Sequence, residues 1–148
     1  MNRKNSKINK QAILGRILER KLANYLYFKG YAVIRSAGSG AGKIRPEPDI
    51  VVMKNGKFIC IEVTTKSELK DIEINLSKIR RIKEFVERAG TKAYLCVKYG
   101  EMKFLCIDYD FIFEKAKNKK RGKVRIIKEY ILKYGKDVDT IVKEELEK

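Results

Sequence analysis

The stretch PDIVVMKNGKFICIEVTTK, Pro48 to Lys66, decides how this chain is read. Two apolar runs flank Asn55-Gly56, the dipeptide most favoured at the tip of a two-residue β-hairpin. Such a loop pairs Lys54 with Lys57, so Met53 faces Phe58, Val51 faces Cys60, and Asp49 faces Glu62. Directly opposed side chains have Cβ atoms about 4.5–5.5 Å apart, and like charges there repel. One explanation is a divalent cation between the acids, since Mg²⁺ is commonly held by one or two carboxylates. The other is that Asp49 merely begins a strand and Glu62 lies on a solvated face.

Alternation along the second strand puts Phe58, Cys60, Glu62, Thr64 and Lys66 on one face, with Ile59, Ile61 and Val63 on the other. If the strand runs that far, Thr64 and then Lys66 follow the acid on its own face. A lysine beside a metal can orient an attacking water or offset charge building on a phosphate.

Outward from the hairpin, the spacing of Leu14, Ile17, Leu18, Leu22, Tyr25 and Leu26 predicts a helix over 11–29, after a loose basic arm. Glu19 lies on the flank of that stripe, with small Gly15 and Ala23 one turn to either side. Read alone, it is a solvated glutamate. YAVIRS (31–36) predicts a short strand, and AGSGAGKIRPEP (37–48) a glycine-rich basic loop. Ile72–Ile74 suits an edge strand. Ser77 precedes an amphipathic helix closed by Gly90, and two further strands, about 92–98 and 103–108, turn near Gly100. Beyond Asp110 the pattern predicts two or three short helices. The order implies a central mixed sheet flanked by helices, an α/β fold. The chain divides into a basic arm (1–14), a core (15–110) and a basic helical extension (111–148) of the same domain.

Composition sets the class of chemistry. The 148 residues are 44% hydrophobic and 36% charged, and Lys and Arg outnumber Asp and Glu by 35 to 19, a formal charge of +16. That surplus points to nucleic acid, with an anionic membrane surface as the rival partner. No run approaches the roughly 18 apolar residues that span a bilayer, so a soluble, cytoplasmic protein is expected. Histidine is absent, which excludes His-based acid–base catalysis and His-ligated metals. Carboxylates, lysines, hydroxyls and hard metal ions remain. Cys60, Cys96 and Cys106 each sit in an apolar run without CxxC spacing, and are expected as buried free thiols.

Several of these stretches together resemble one family. Gly15-x-x-x-Glu19-Arg20, KGYAVIRSAGS (29–39), Pro48-Asp49 and CIEV (60–63) occur in an order and spacing similar to the archaeal Holliday junction resolvases and their viral relatives. These belong to the PD-(D/E)xK nuclease superfamily. The resemblance covers about 15–108. It implies a restriction-endonuclease-like sheet and a homodimer that cuts four-way junction DNA symmetrically, using Mg²⁺ or alternatively Mn²⁺. By position, Glu19, Asp49 and Glu62 become the metal site, with the Val63 carbonyl as an extra ligand. Arg20, Arg35 and Ser36 match positions near the active site or DNA.

The family pattern has a lysine two residues after the second acid, where this chain has Thr64. Lys66, two further along the same face, is the expected substitute, with Thr64 acting through water. The loop before Pro48 is longer than in the family, and its Lys43 and Arg45 are expected to reach a phosphate. Residues 115–136 carry ten Lys or Arg against one Glu, which suits sequence-independent phosphate contact or a solvated extension. Two rivals accompany the resolvase reading. One is a related endonuclease acting on duplex or flap DNA, and the other is a non-catalytic binding module, which Thr64 favours. For the dimer, Phe111 with Phe113, or the helix near Phe85, are the candidate contacts.

Overall fold

A computed structural model describes the backbone over 3–36 and 44–148, and side chains from Lys10 onward within those ranges. Lys43 lies outside the described residues. The hairpin forms as the sequence requires. β2 (Ile50–Lys54) and β3 (Lys57–Lys66) pair antiparallel, with Lys54 against Lys57, Met53 against Phe58 and Val51 against Cys60. Asn55 and Gly56 both take positive φ, 55° and 76°, which a type I′ turn demands at its two central residues.

β1 (Ala32–Arg35) pairs antiparallel with β2 on the outer side. On the inner side β3 pairs in parallel with β5 (Ala93–Tyr99), which pairs antiparallel with β6 (Leu105–Asp108). The result is a five-stranded mixed sheet in the order β1-β2-β3-β5-β6. The parallel step needs a crossover. It runs through β4 (Ile72–Asn75) and α2 (Leu76–Ala89), whose buried Leu76, Ile79, Ile82 and Val86 repeat at helical spacing.

Helices cover both faces, as the α/β reading expected. One face carries α1 (Arg3–Phe28) and α5 (Val138–Leu146), whose Leu22, Leu26, Ile141 and Val142 pack with Ile59 and Ile61 of β3. The other carries α2 and α3 (Tyr109–Ala116), with Ile79 and Ile112 packed in one cluster with Cys60. Glu62 follows Cys60 on that second face.

Four expectations are corrected. The basic N-terminal segment is helical from Arg3 rather than a loose arm, and the predicted stripe is buried only at Leu22 and Leu26, with Leu14 47% accessible and Ile17 and Leu18 half-buried. Ile72–Ile74 is a strand as expected, but it lies outside the main sheet. It belongs to β4, which forms a separate two-stranded sheet with β7 (Lys123–Ile126), a strand the helical reading of the C-terminal region missed. With α4 (Lys128–Tyr134) and α5, β7 buries Val124, Ile126, Ile131 and Ile141, so these residues complete the core. Finally, only Cys60 is free, its thiol pushed up to about 12 by burial and the Glu62 charge. Cys96 and Cys106 form a disulfide because the β5–β6 register sets them opposite one another, Cα atoms 4.1 Å apart.

Phe85, Phe111 and Phe113 are half-buried against the core, and Phe111 stacks on Tyr130 at 3.7 Å between ring centroids. Among the described residues no helix is long and apolar enough to cross a membrane.

Candidate metal centre

The β2–β3 ladder ends at Ile50 against Ile61. The next pair by register is Asp49 and Glu62, and beyond it Pro48 would face Val63. Proline has no N–H to continue a ladder. The Val63 carbonyl thus gains no ladder donor from Pro48, and the Val63 N–H turns from the Pro48 carbonyl to a side chain, donating to Asp49 Oδ2 at 2.9 Å. On its other side the Asp49 carbonyl accepts the Ser36 N–H at 2.9 Å. Asp49 is thus pinned between β1 and β3 with its carboxylate beside Glu62.

Glu62 is the one buried charged residue among the described residues, 2% exposed. Its Oε2 has no hydrogen-bond partner. Burial pushes this carboxyl well above the ordinary carboxylate range. The Asp49 charge and a hydrogen bond with the Asp49 side chain push the same way, against Lys78 and the Asp49 backbone. A buried acid of this kind, beside a second acid and with an orphaned oxygen, is costly unless a cation joins it. The two acids fit a hard, oxygen-seeking divalent ion. Among the described residues no group of three or more His, Cys, Asp or Glu side chains is gathered for a metal.

Glu19 explains that count. It reaches the site from α1 but is held by Arg35, whose Nε donates to Glu19 Oε1 at 3.1 Å. Partial burial and then the Asp49 charge raise its carboxyl, with Arg35 and Lys78 opposing. Arg35 also donates to the Arg16 carbonyl, so it ties α1 to β1. Ser36 Oγ donates to Glu47 at 2.8 Å, and Arg45 is clipped through its carbonyl, which accepts from Arg81 at 3.2 Å. Arg20 is exposed on α1.

Lys66 is in β3, as expected, but is not brought to the acids. It lies four positions beyond Glu62, about 13 Å at the rise of a strand, further than its four-carbon stem reaches. It lines a groove with Lys70, Lys123, Arg125 and Lys128 instead, where Asp71 and Glu73 also lie and pair with Arg125. Thr64 lies between, half-buried, opposite Val97.

Two groups at the site were missed by sequence reasoning. Lys78, in the first turn of α2, places Nζ 3.8 Å from Glu62 Oε2, an ion-pair contact too long for a hydrogen bond. Tyr109, fully buried at the start of α3, has a hydroxyl without a hydrogen-bond partner, and burial followed by the Glu62 and Asp49 charges pushes its pKa up, which keeps it neutral. Neither has a sequence signal, because Lys78 arrives on the crossover helix and Tyr109 on the helix after β6, both distant in sequence from Asp49.

A sequence model described as archaeal Holliday junction resolvase (Hjc) matches residues 10–147. The chain belongs to that family. It is 37% identical over 95 residues to the crossover junction endodeoxyribonuclease Hjc of Sulfolobus acidocaldarius, covering 64% of this chain and 66% of that protein. The Methanocaldococcus jannaschii protein of the same name is 37% identical over 92 residues, 62% of this chain and 64% of that one. These matches thus span a little under two thirds of those relatives' lengths. A solved structure described as Archaeoglobus fulgidus Hjc, a Holliday junction resolvase from an archaeal hyperthermophile, superimposes with a TM-score of 0.68. It covers 86% of this chain and 98% of that one at 23% identity, which establishes the shared fold. Within this Hjc-family chain, the acid pair occupies the PD and CIEV positions from which the resemblance was drawn.

Proposed function

We propose that this Hjc-family protein is a structure-specific endonuclease that resolves four-way DNA junctions by divalent-metal-dependent hydrolysis, acting as a homodimer. The observation that carries the reading is the buried acid pair, whose Glu62 Oε2 lacks a hydrogen-bond partner, in a chain of formal charge +16.

Asp49 and Glu62 would hold the ion, Mg²⁺ or Mn²⁺, with the Val63 carbonyl and Glu19 at its margin. A bound ion of this type activates water at neutral pH and offsets charge on a phosphate. In the reaction a water oxygen bonds to phosphorus and the P–O bond to the leaving sugar oxygen breaks. One water hydrogen goes to that oxygen and the other stays with the phosphate monoester or leaves to solvent. Asp49 is oriented for this by the Val63 and Ser36 N–H groups, and Arg35 keeps Glu19 close to it.

Substrate capture falls to the basic surface. Arg20, Arg35, Ser36, Lys43 and Arg45 precede the acid pair in sequence and suit contacts to the phosphates flanking the cut. The groove's Lys66, Lys70, Lys123 and Lys128, beside the Arg125 pairs with Asp71 and Glu73, suit a duplex arm. A two-fold dimer matches the two equivalent cut sites of a junction.

Thr64 supports a second reading, a junction-binding protein that does not cut. The test is incubation of an immobile four-way junction with Mg²⁺ beside a linear duplex of one arm's sequence. Paired, symmetric nicks in the junction alone are the expected result. Equal cutting of both substrates would indicate a general nuclease. Tight binding without nicks in Mg²⁺ and Mn²⁺ would establish the binder.

A further inference from the structure

Phosphodiester hydrolysis gathers negative charge at the scissile phosphate, and a positioned ammonium stabilises it. Thr64 cannot supply that charge. Lys66 is directed to a different groove. The acid pair nevertheless has a lysine beside it, and its placement is built rather than incidental.

The start of α2 is fixed at several points. The Leu76 N–H donates to the Gly122 carbonyl at 3.0 Å, and Leu76 and Ile79 are buried on either side of Lys78. Arg80 donates to the Lys119 carbonyl and Arg81 to the Arg45 carbonyl. These contacts set the rotation of the first turn, which leaves Lys78 Nζ 3.8 Å from Glu62 Oε2. The same ammonium acts on Glu19 as well as on Glu62. It is also 53% exposed, so one side remains open to a phosphate. A lysine in the first turn of a helix opposes the helix dipole, where an acid would be favoured. α2 has no acid in its first turn.

The geometry points to Lys78 of α2, rather than a lysine on β3, as the cation that stabilises the scissile phosphate and positions the attacking water. The inference rests on the nuclease reading and names the residue that completes its site. It also accounts for a threonine at position 64: the charge has moved from the strand to the facing helix, which approaches the same acid from above the sheet.

The test compares wild type, Lys78→Ala, Lys78→Arg, Lys66→Ala, and Lys78→Ala combined with Thr64→Lys. Three quantities are read for each: single-turnover nicking, junction affinity in EDTA, and Mn²⁺ affinity of the DNA-free protein by calorimetry. Lys78→Ala is expected to slow nicking about 100-fold, with junction affinity within about threefold. Its Mn²⁺ affinity should rise about threefold or more, because a like charge beside Glu62 is gone. A merely structural lesion would weaken metal binding instead. Thr64→Lys should restore much of the lost rate, and Lys78→Arg should retain more of it than Lys78→Ala. Lys66→Ala should slow nicking less than Lys78→Ala. Undiminished nicking by Lys78→Ala, or a larger loss with Lys66→Ala, overturns the inference and leaves the nuclease reading intact. Wild-type protein that leaves the junction whole in both metals overturns the nuclease reading, and this inference with it.

Discussion

Asp49 Oδ2 accepts the Val63 backbone N–H at 2.9 Å, so a side-chain oxygen takes the acceptor's place that the Pro48 carbonyl would fill if the ladder ran on. The carboxylate that ends the β2–β3 ladder is therefore the one that meets Glu62. Strand termination and the acid pair are one structural event, which gives Asp49 a structural as well as a chemical role.

Substitution of Asp49 by Asn separates these roles. The amide oxygen still accepts the Val63 N–H, so the fold should persist while a ligand charge is lost. Nicking should fall at least ~100-fold, and junction affinity in EDTA should hold or rise. Gel-shift and cleavage assays on one preparation check both outcomes.

Glu62 makes the metal-free protein pH-sensitive. Its folded carboxyl titrates well above the ordinary glutamate value of 4.5, through burial first and then Asp49. The folded state therefore holds a proton that the unfolded state has released, and stability falls as pH rises from about 4.5 through the folded value. Asp49, Lys78 and the Tyr109 hydroxyl are the groups acting on or responding to this carboxyl. Urea unfolding across pH in EDTA should show that decline. Glu62→Gln should flatten it, and Mg²⁺ should stabilise wild type at high pH but not the variant.

Arg35 ties Glu19 to β1 and α1 to the sheet. Arg35→Ala should leave Glu19 without its guanidinium partner and raise its carboxyl further, since the remaining causes are mainly burial and Asp49. The expected cost is about 1 kcal/mol of stability, because the pair is only partly buried. The metal concentration needed for half-maximal nicking should change with it. Chemical denaturation and a Mg²⁺ titration read the two effects.

The basic groove predicts a salt effect. Lys123 and Lys128 lie in it, away from the acid pair. Replacing both by Ala should weaken junction binding and make the slope of log K against log salt shallower by about two. Fluorescence anisotropy between low and moderate salt measures it.

The Cys96–Cys106 disulfide closes a ten-residue separation across the β5–β6 turn. Loop closure on that scale contributes about 2–3 kcal/mol. Denaturation with and without reductant should differ by that amount, and a Cys96→Ala, Cys106→Ala protein should be insensitive to reductant.

The sequence by itself determined the hairpin, its register and thereby the meeting of Asp49 and Glu62. Those are local consequences of Asn55-Gly56 and of the two-residue period of a strand. It also carried the mixed α/β order and the family resemblance, because apolar periodicity and short motifs are written along the chain. What only tertiary structure decided are the contacts between segments distant in sequence. β7 pairs with β4 across some fifty residues, a register no local pattern states. Cys96 meets Cys106 only once β5 and β6 align. Lys66 was assigned to the acids because a strand face orders residues without measuring reach, and four residues of strand carry it out of range. Lys78 was unseen because the rotation of α2 over the sheet is set by packing of Leu76 and Ile79, and by bonds to Gly122 and Arg45. Periodicity places a residue on the face of its own element. Which residue of another element stands opposite is settled by packing alone.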